Sequence, residues 1–134
     1  MKAVQVTGYG DVDQLKLVDI PTPEPKENEV LVQVKACAIN NTEIWMREGA
    51  YGQGGKSGWR PEGVQFPRTP GSDITGKVVQ VGEQVDETMM GKDVVLFPFT
   101  SSGPGGQEHI SEDMSFIGSE YDGGYAEYVV WPAE

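Results

Sequence analysis

The sequence predicts a mainly β fold, a barrel or sandwich with one short helix. Three observations carry this. The chain of 134 residues holds 18 glycines and 9 prolines, a turn-rich composition. No long helical periodicity runs anywhere in it. Its best-patterned stretch, Glu29 to Ile39, alternates: Val30, Val32, Val34, Ala36 and Ala38 share one parity, and Gln33 and Lys35 take the other.

The elements follow in order. Lys2 to Thr7 reads as a first strand, closed by the Gly8-Tyr9-Gly10 turn, and Leu15 to Ile20 as a second. Pro21, Pro23 and Pro25 lack an N–H and make an extended connector. Glu29 to Ile39 is the third strand. Asn40-Asn41 then breaks the alternation, because Asn side chains accept from backbone N–H groups and favour helix starts. A helix of about two turns over Asn41–Glu48 follows, with Gly49 suited to its C-terminal stop. Gly49 to Thr69 is a long loop carrying Trp59, Phe66 and Pro67, and a loop of that length in a small domain is often functional. Further strands are expected at Thr75–Val81, Val94–Phe99 and Tyr125–Trp131, with Thr100–Glu120 a loop of little regular structure.

Charge and cysteine content exclude several classes. Twenty-one acidic residues against 10 basic ones give a net charge of −11, which repels phosphate backbones and argues against nucleic acid. The single cysteine, Cys37, permits no internal disulfide and fits a reducing compartment. The chain has no apolar run near ~18 residues and no signal-peptide pattern, so a soluble cytoplasmic protein without membrane contact is expected. Ala50 to Ser57 nearly spells a phosphate-binding loop. However, it follows a polar helix rather than a buried strand, and Pro61 interrupts any helix after it. A Gly-rich lip of a cleft is the better reading.

Four pieces in register resemble one family. Val34-Lys35-Ala36 leads through Asn40 to Arg47, Gly49 and Tyr51; Pro70-Gly71-Ser72-Asp73-Ile74-Thr75-Gly76 follows; then Gly76 through Val81-Gly82, Val85, Gly91 and Val94; then Gly123-Gly124-Tyr125-Ala126-Glu127-Tyr128. Together they resemble the N-terminal, GroES-like catalytic domain of medium-chain dehydrogenases/reductases, closest to the zinc-free quinone oxidoreductase-like branch. The resemblance covers nearly the whole chain. It implies a mainly β, GroES-like partly open β-barrel with one or two short helices spanning residues 1–134. It also implies a Rossmann cofactor domain in the full-length protein that is absent here, so that the chain is a truncated one, inactive alone and binding NADP or NAD only weakly.

The implied activity is hydride transfer to a quinone, enone or related carbonyl acceptor, a small-molecule substrate. The implied catalytic residues are Asn40, Thr42 and Tyr51. Trp45, Trp59 and Asp73 would bind substrate, and Asn40 and Asn41 would meet the cofactor. The positions where the family's zinc enzymes carry Cys and His hold Asn40 and Ser72, an amide and a hydroxyl that are poor zinc ligands, and Asp73 follows where those enzymes have Glu. No zinc is therefore expected. Each residue keeps a plainer alternative. Asn40 caps the helix as readily as it serves a pocket, Thr42 is a first-turn residue or a relay, Trp45 and Tyr51 are core aromatics or cleft walls, Glu43 favours the helix dipole, and Asp73 pairs with Arg47 or Arg68 or faces the cleft. The strand parity of Cys37 sets it opposite the Val30, Val32 and Val34 face. Two alternative readings of the whole stand: a stand-alone GroES-like interaction module, and a zinc-type alcohol dehydrogenase domain that has lost its ligands. A face left bare by a missing cofactor domain further predicts homodimers.

Overall fold

The computed structural model describes residues 1–52, 63–101 and 114–133. Its architecture is three antiparallel sheets around one short helix, mainly β as expected. Strands β1 (Lys2–Val6) and β2 (Leu15–Asp19) form a hairpin closed by a 3-10 turn over Val12–Gln14. The central sheet runs in the order β5-β4-β3-β8, from β5 (Asp93–Val95), β4 (Asp73–Val81), β3 (Glu29–Ala38) and β8 (Tyr128–Pro132). A small pair, β6 (Phe99–Thr100) and β7 (Ser115–Phe116), makes the third sheet. Single bridges tie the sheets together: Ala3 to Ala126, Val6 to Arg68 and Ile117 to Tyr121.

The core lies on one face of the central sheet. Val30, Val32, Ile74, Val78, Leu96, Ile117, Val129 and Trp131 form one buried cluster. Trp131 keeps its indole N–H satisfied by donating to the Phe97 carbonyl at 2.8 Å, as a buried indole requires.

The strict alternation of β3 does not survive. Leu31 is buried as well as Val30 and Val32, and two irregularities in the pairing with β4 lie between Leu31 and Val32 and between Val34 and Ala36. The second leaves Lys35 as an extra residue opposite no partner. A bulge of one residue reverses which face every later side chain meets. Cys37 therefore packs against the core cluster with Val34 instead of facing away from it.

Four other expectations are corrected. The strand expected over Val94–Phe99 is two strands in two sheets, because Pro98 between them has no N–H to give a ladder. The last strand starts at Tyr128 rather than Tyr125; Gly123, Gly124 and Tyr125 spend their N–H groups on the carbonyls of Thr69, Gly71 and Pro70 at 2.7, 2.9 and 3.0 Å. The stretch expected to be irregular over Thr100–Glu120 contains β7. The strand expected from Thr75 begins two residues earlier, at Asp73.

Helix α1 (Asn41–Glu48) has the bounds its sequence predicts. Asn40 is its N-cap in extended conformation, and Gly49 ends it at φ 82°, the left-handed geometry glycine adopts without strain. Met46, Arg47 and Glu43 point inward. Arg47 Nη1 donates to the Gly10 carbonyl, and the Gly10 N–H returns to the Arg47 carbonyl at 3.0 Å, so the helix C-terminus is sewn to the first turn. No helix among the described residues is long and apolar enough to cross a membrane.

Candidate active site

The site forms where β3 hands over to α1 and the Pro70–Asp73 segment passes beside it. Asn40 and Glu43 make a reciprocal cap. The Asn40 N–H donates to Glu43 Oε2 at 2.7 Å, and Asn40 Oδ1 accepts from the Thr42 N–H at 3.4 Å. Glu43 then does more than cap. Its Oε1 accepts the Ser72 N–H at 3.1 Å and the Ser72 hydroxyl at 2.8 Å, although Glu43 is only 9% exposed. One buried carboxylate thus fastens the helix N-terminus to the segment before β4. Asn40 Nδ2 adds a parallel tie, donating to Asp73 Oδ2 at 3.0 Å.

A cavity of about 260 Å3 opens on this junction. Thr42, Glu43, Met46 and Tyr51 line it from the helix side, Ser72 from the segment before β4, and Phe116 to Ser119 from the end of β7 and the turn after it. Its wall is mostly apolar, with hydroxyls at Thr42, Tyr51, Ser72 and Ser119.

Of the sequence-predicted residues, Thr42 and Tyr51 meet in this cavity wall. Asn40 stands just outside it as cap, and Asn41 is exposed at the first helical position. Trp45 is 48% exposed, so it is not a core residue; it meets Tyr51 edge to face at 6.5 Å without lining the cavity. Asp73 pairs with neither arginine: Arg47 lies 3.8 Å from Asp11, and Arg68 Nη1 3.2 Å from Asp122. Trp59 and the Gly-rich lip over 53–57 lie outside the described residues. Phe66 packs edge to face on Tyr9 at 4.8 Å, away from the cavity lining.

Sequence reasoning missed Ser72 and Glu43 as a pair, and Phe116–Ser119 as a wall. The spacing Asn40-x-x-Glu43 is a capping-box signature and would have found half of the first. Nothing local marks Phe116–Ser119, which arrive through the Ile117–Tyr121 bridge.

Behind the cavity, Cys37 and Tyr125 pack against Gly71. A Cβ on Gly71 would lie 2.7 Å from Tyr125 Cδ1 and 2.8 Å from Cys37 Sγ. Burial, with Glu43 and Asp73 adding negative charge, pushes the Cys37 thiol up to about 11. The same causes, burial first and then Glu43, Cys37 and Asp73, push Tyr125 up to about 12. The Tyr125 hydroxyl is occluded and has no hydrogen-bond partner.

The donor set does not fit a metal ion. Among the described residues no three His, Cys, Asp or Glu side chains converge. Asn40 and Ser72 offer an amide and a hydroxyl whose hydrogen bonds are already committed to Asp73, Thr42 and Glu43.

Comparison with known proteins places this architecture. Residues 26–134 match the family described as the alcohol dehydrogenase GroES-like domain. This chain belongs to that family. An NAD-dependent alcohol dehydrogenase of Sulfurisphaera tokodaii is 34% identical to this GroES-like domain over 137 residues, covering 98% of the chain and 38% of the relative. A Homo sapiens quinone oxidoreductase is 33% identical over 131 residues, covering 97% and 31%. A cobalt- and zinc-bound thermostable alcohol dehydrogenase from Pyrobaculum aerophilum superposes with a TM-score of 0.82 at 31% identity, covering 99% of this chain and 39% of that one. The GroES-like domain described here therefore spans between 31% and 39% of the length of these relatives.

Proposed function

We propose that this chain is the substrate-side domain of an NAD(P)-dependent oxidoreductase that works without zinc and transfers hydride to a quinone, enone or related carbonyl acceptor. The intact protein would carry a Rossmann cofactor domain after it, and both likenesses, to alcohol dehydrogenases and to quinone oxidoreductases, support the reading. The observation that carries it is the apolar cavity at the mouth of α1, with Thr42, Tyr51 and Ser72 in its wall.

A bound reduced nicotinamide would supply the hydride. The chain's own residues do the rest. The apolar wall from Met46, Val64 and Ile117 desolvates the acceptor. As hydride reaches carbon, the carbonyl electron pair moves to oxygen, and the Tyr51 hydroxyl stabilises that oxygen by donating to it. Asn40 and Asn41, both exposed, would meet the cofactor, and Trp45 and Asp73 would contact the substrate.

The test is steady-state oxidation of NADH and NADPH by the intact protein with benzoquinone and cyclohexenone, with and without EDTA, beside metal analysis. Turnover that EDTA leaves intact, in protein free of stoichiometric zinc, is the expected result. Turnover that depends on added zinc would overturn the zinc-independent reading.

A further inference from the structure

The hydrogens of the cavity wall are sorted by the groups behind them. A carboxylate can only accept, so the Ser72 hydroxyl, 2.8 Å from Glu43 Oε1, must give its one proton to Glu43. Ser119 likewise gives its proton to Glu120 Oε1 at 2.9 Å. Thr42 Oγ1 lies 2.9 Å from Asn40 Oδ1. The amide orientation of Asn40 is fixed from both ends: its Nδ2 faces the Asp73 carboxylate and its Oδ1 faces the Thr42 N–H. Thr42 must therefore donate too. Three of the four lining hydroxyls have their protons committed to acceptors within the chain, leaving lone pairs for a ligand.

The backbone adds few donors. The lining N–H groups of Gly52, Val64, Ser72, Phe116, Ile117 and Gly118 donate to partners elsewhere in the chain. Among the described lining residues, Tyr51 has its hydroxyl proton uncommitted. A carbonyl has only an acceptor to offer, so a plain ketone or quinone can use Tyr51 and leaves the lone pair of the half-buried Ser72 hydroxyl unmatched. Unmatched buried polar groups are costly, which is how a site rejects a ligand lacking one donor.

We propose that Glu43 is a positioning residue that makes Ser72 a hydrogen-bond acceptor, so that the cavity selects carbonyl compounds that also carry a hydroxyl donor. The inference rests on the oxidoreductase reading for the reaction but on the hydrogen-bond network alone for the selectivity. The ligand class is a small, largely apolar hydroxy-carbonyl compound. Its carbonyl takes the Tyr51 proton and its hydroxyl donates to Ser72.

The test compares binding of 2-hydroxycyclohexanone and 2-methoxycyclohexanone to the intact protein without nicotinamide, by ligand-detected NMR. The pair differs by a methyl group that removes the donor, keeps the oxygen and adds apolar surface. The hydroxy compound should bind about tenfold more tightly, the worth of one matched hydrogen bond. Ser72→Ala should abolish that ratio. Glu43→Gln should shrink or reverse it, because its amide can donate to Ser72 Oγ and free the serine proton. A purely structural lesion weakens both ligands alike and leaves their ratio unchanged, so the ratio separates the two roles. Equal binding, tighter binding of the methoxy compound, no binding of either at millimolar concentration, or a preference that persists in both variants would overturn the proposal. Turnover without this preference would sink only the selectivity; preference without turnover would sink only the oxidoreductase reading.

Discussion

Glu43 Oε1 accepts two hydrogen bonds from a single residue, Ser72, one from its backbone and one from its hydroxyl, at 3.1 and 2.8 Å. With the Asn40 N–H on Oε2, a residue of the helix fixes both the end of β3 and the start of β4. The handover between these neighbouring strands is held by this carboxylate.

Glu43→Ala should therefore be costly. It removes a nearly buried acceptor and strands the N–H groups of Asn40 and Ser72 that donate to it, and the loss should be about 3 kcal/mol in urea-induced unfolding. A loss near zero would mean that water replaces the carboxylate without penalty.

Asn40→Ala removes the cap and the tie to Asp73. About 1 kcal/mol of stability should go, the usual worth of an N-cap side chain. Asn40→Asp keeps the cap but sets a carboxylate against Asp73. This variant should be less stable than the parent at neutral pH and regain stability in acid, where one carboxyl takes a proton. Thermal melts across pH 4–8 would read the effect.

Cys37 and Tyr125 make an alkaline prediction. Both groups hold their protons more tightly when folded, at about 11 against 9.0 for Cys37 and about 12 against 10.0 for Tyr125. A raised acid pKa stabilises the fold below the unfolded value, and that contribution is lost as pH rises through the folded value. Stability should fall between pH 9 and 12, with Cys37→Ala flattening the lower part of that decline. Thiol alkylation at pH 8 should be slow in the folded protein and fast in urea.

Gly123 and Gly91 make a matched pair. A Cβ on Gly123 would lie 2.2 Å from the Gly71 carbonyl oxygen and 2.7 Å from that of Pro70, backbone atoms that cannot turn aside. At Gly91 a Cβ meets nothing within 4 Å, and only its φ of 75° resists a side chain. Gly91→Ala should cost about 1 kcal/mol, whereas Gly123→Ala should cost about 3 kcal/mol or abolish folding. Similar melting points for the two variants would contradict this packing.

The sequence carried the elements further than their ends. Helix α1 was readable to the residue because Asn40 and Gly49 are chemical punctuation, a side-chain acceptor and a residue free to turn left-handed. The side of the sheet that Cys37 meets was not readable, because a bulge at Lys35 leaves no mark in a pattern of apolar and polar residues. The break at Pro98 was visible as a residue without an N–H, yet the short apolar run around it read as one strand. The site shows the same division. Thr42 and Tyr51 were legible through resemblance, and they meet in one wall. Ser72 was seen only as a poor metal ligand, because its role depends on a carboxylate 29 positions away. Trp45 stood open between core and cleft wall, and helical phase turns it outward.

The pairing of β3 with β8, and of Ala3 with Ala126, has a consequence for the order of events on the ribosome. Residues 2–34 are synthesised well before their partners at 125–132: Val4 waits for the carbonyl of Tyr125, and Val34 for that of Glu127. The central sheet cannot gain its fourth strand until Pro132 has cleared the exit tunnel. Until then β3, the strand that presents the whole site, is an unpaired edge on one side, open to any other nascent chain or chaperone that recognises one.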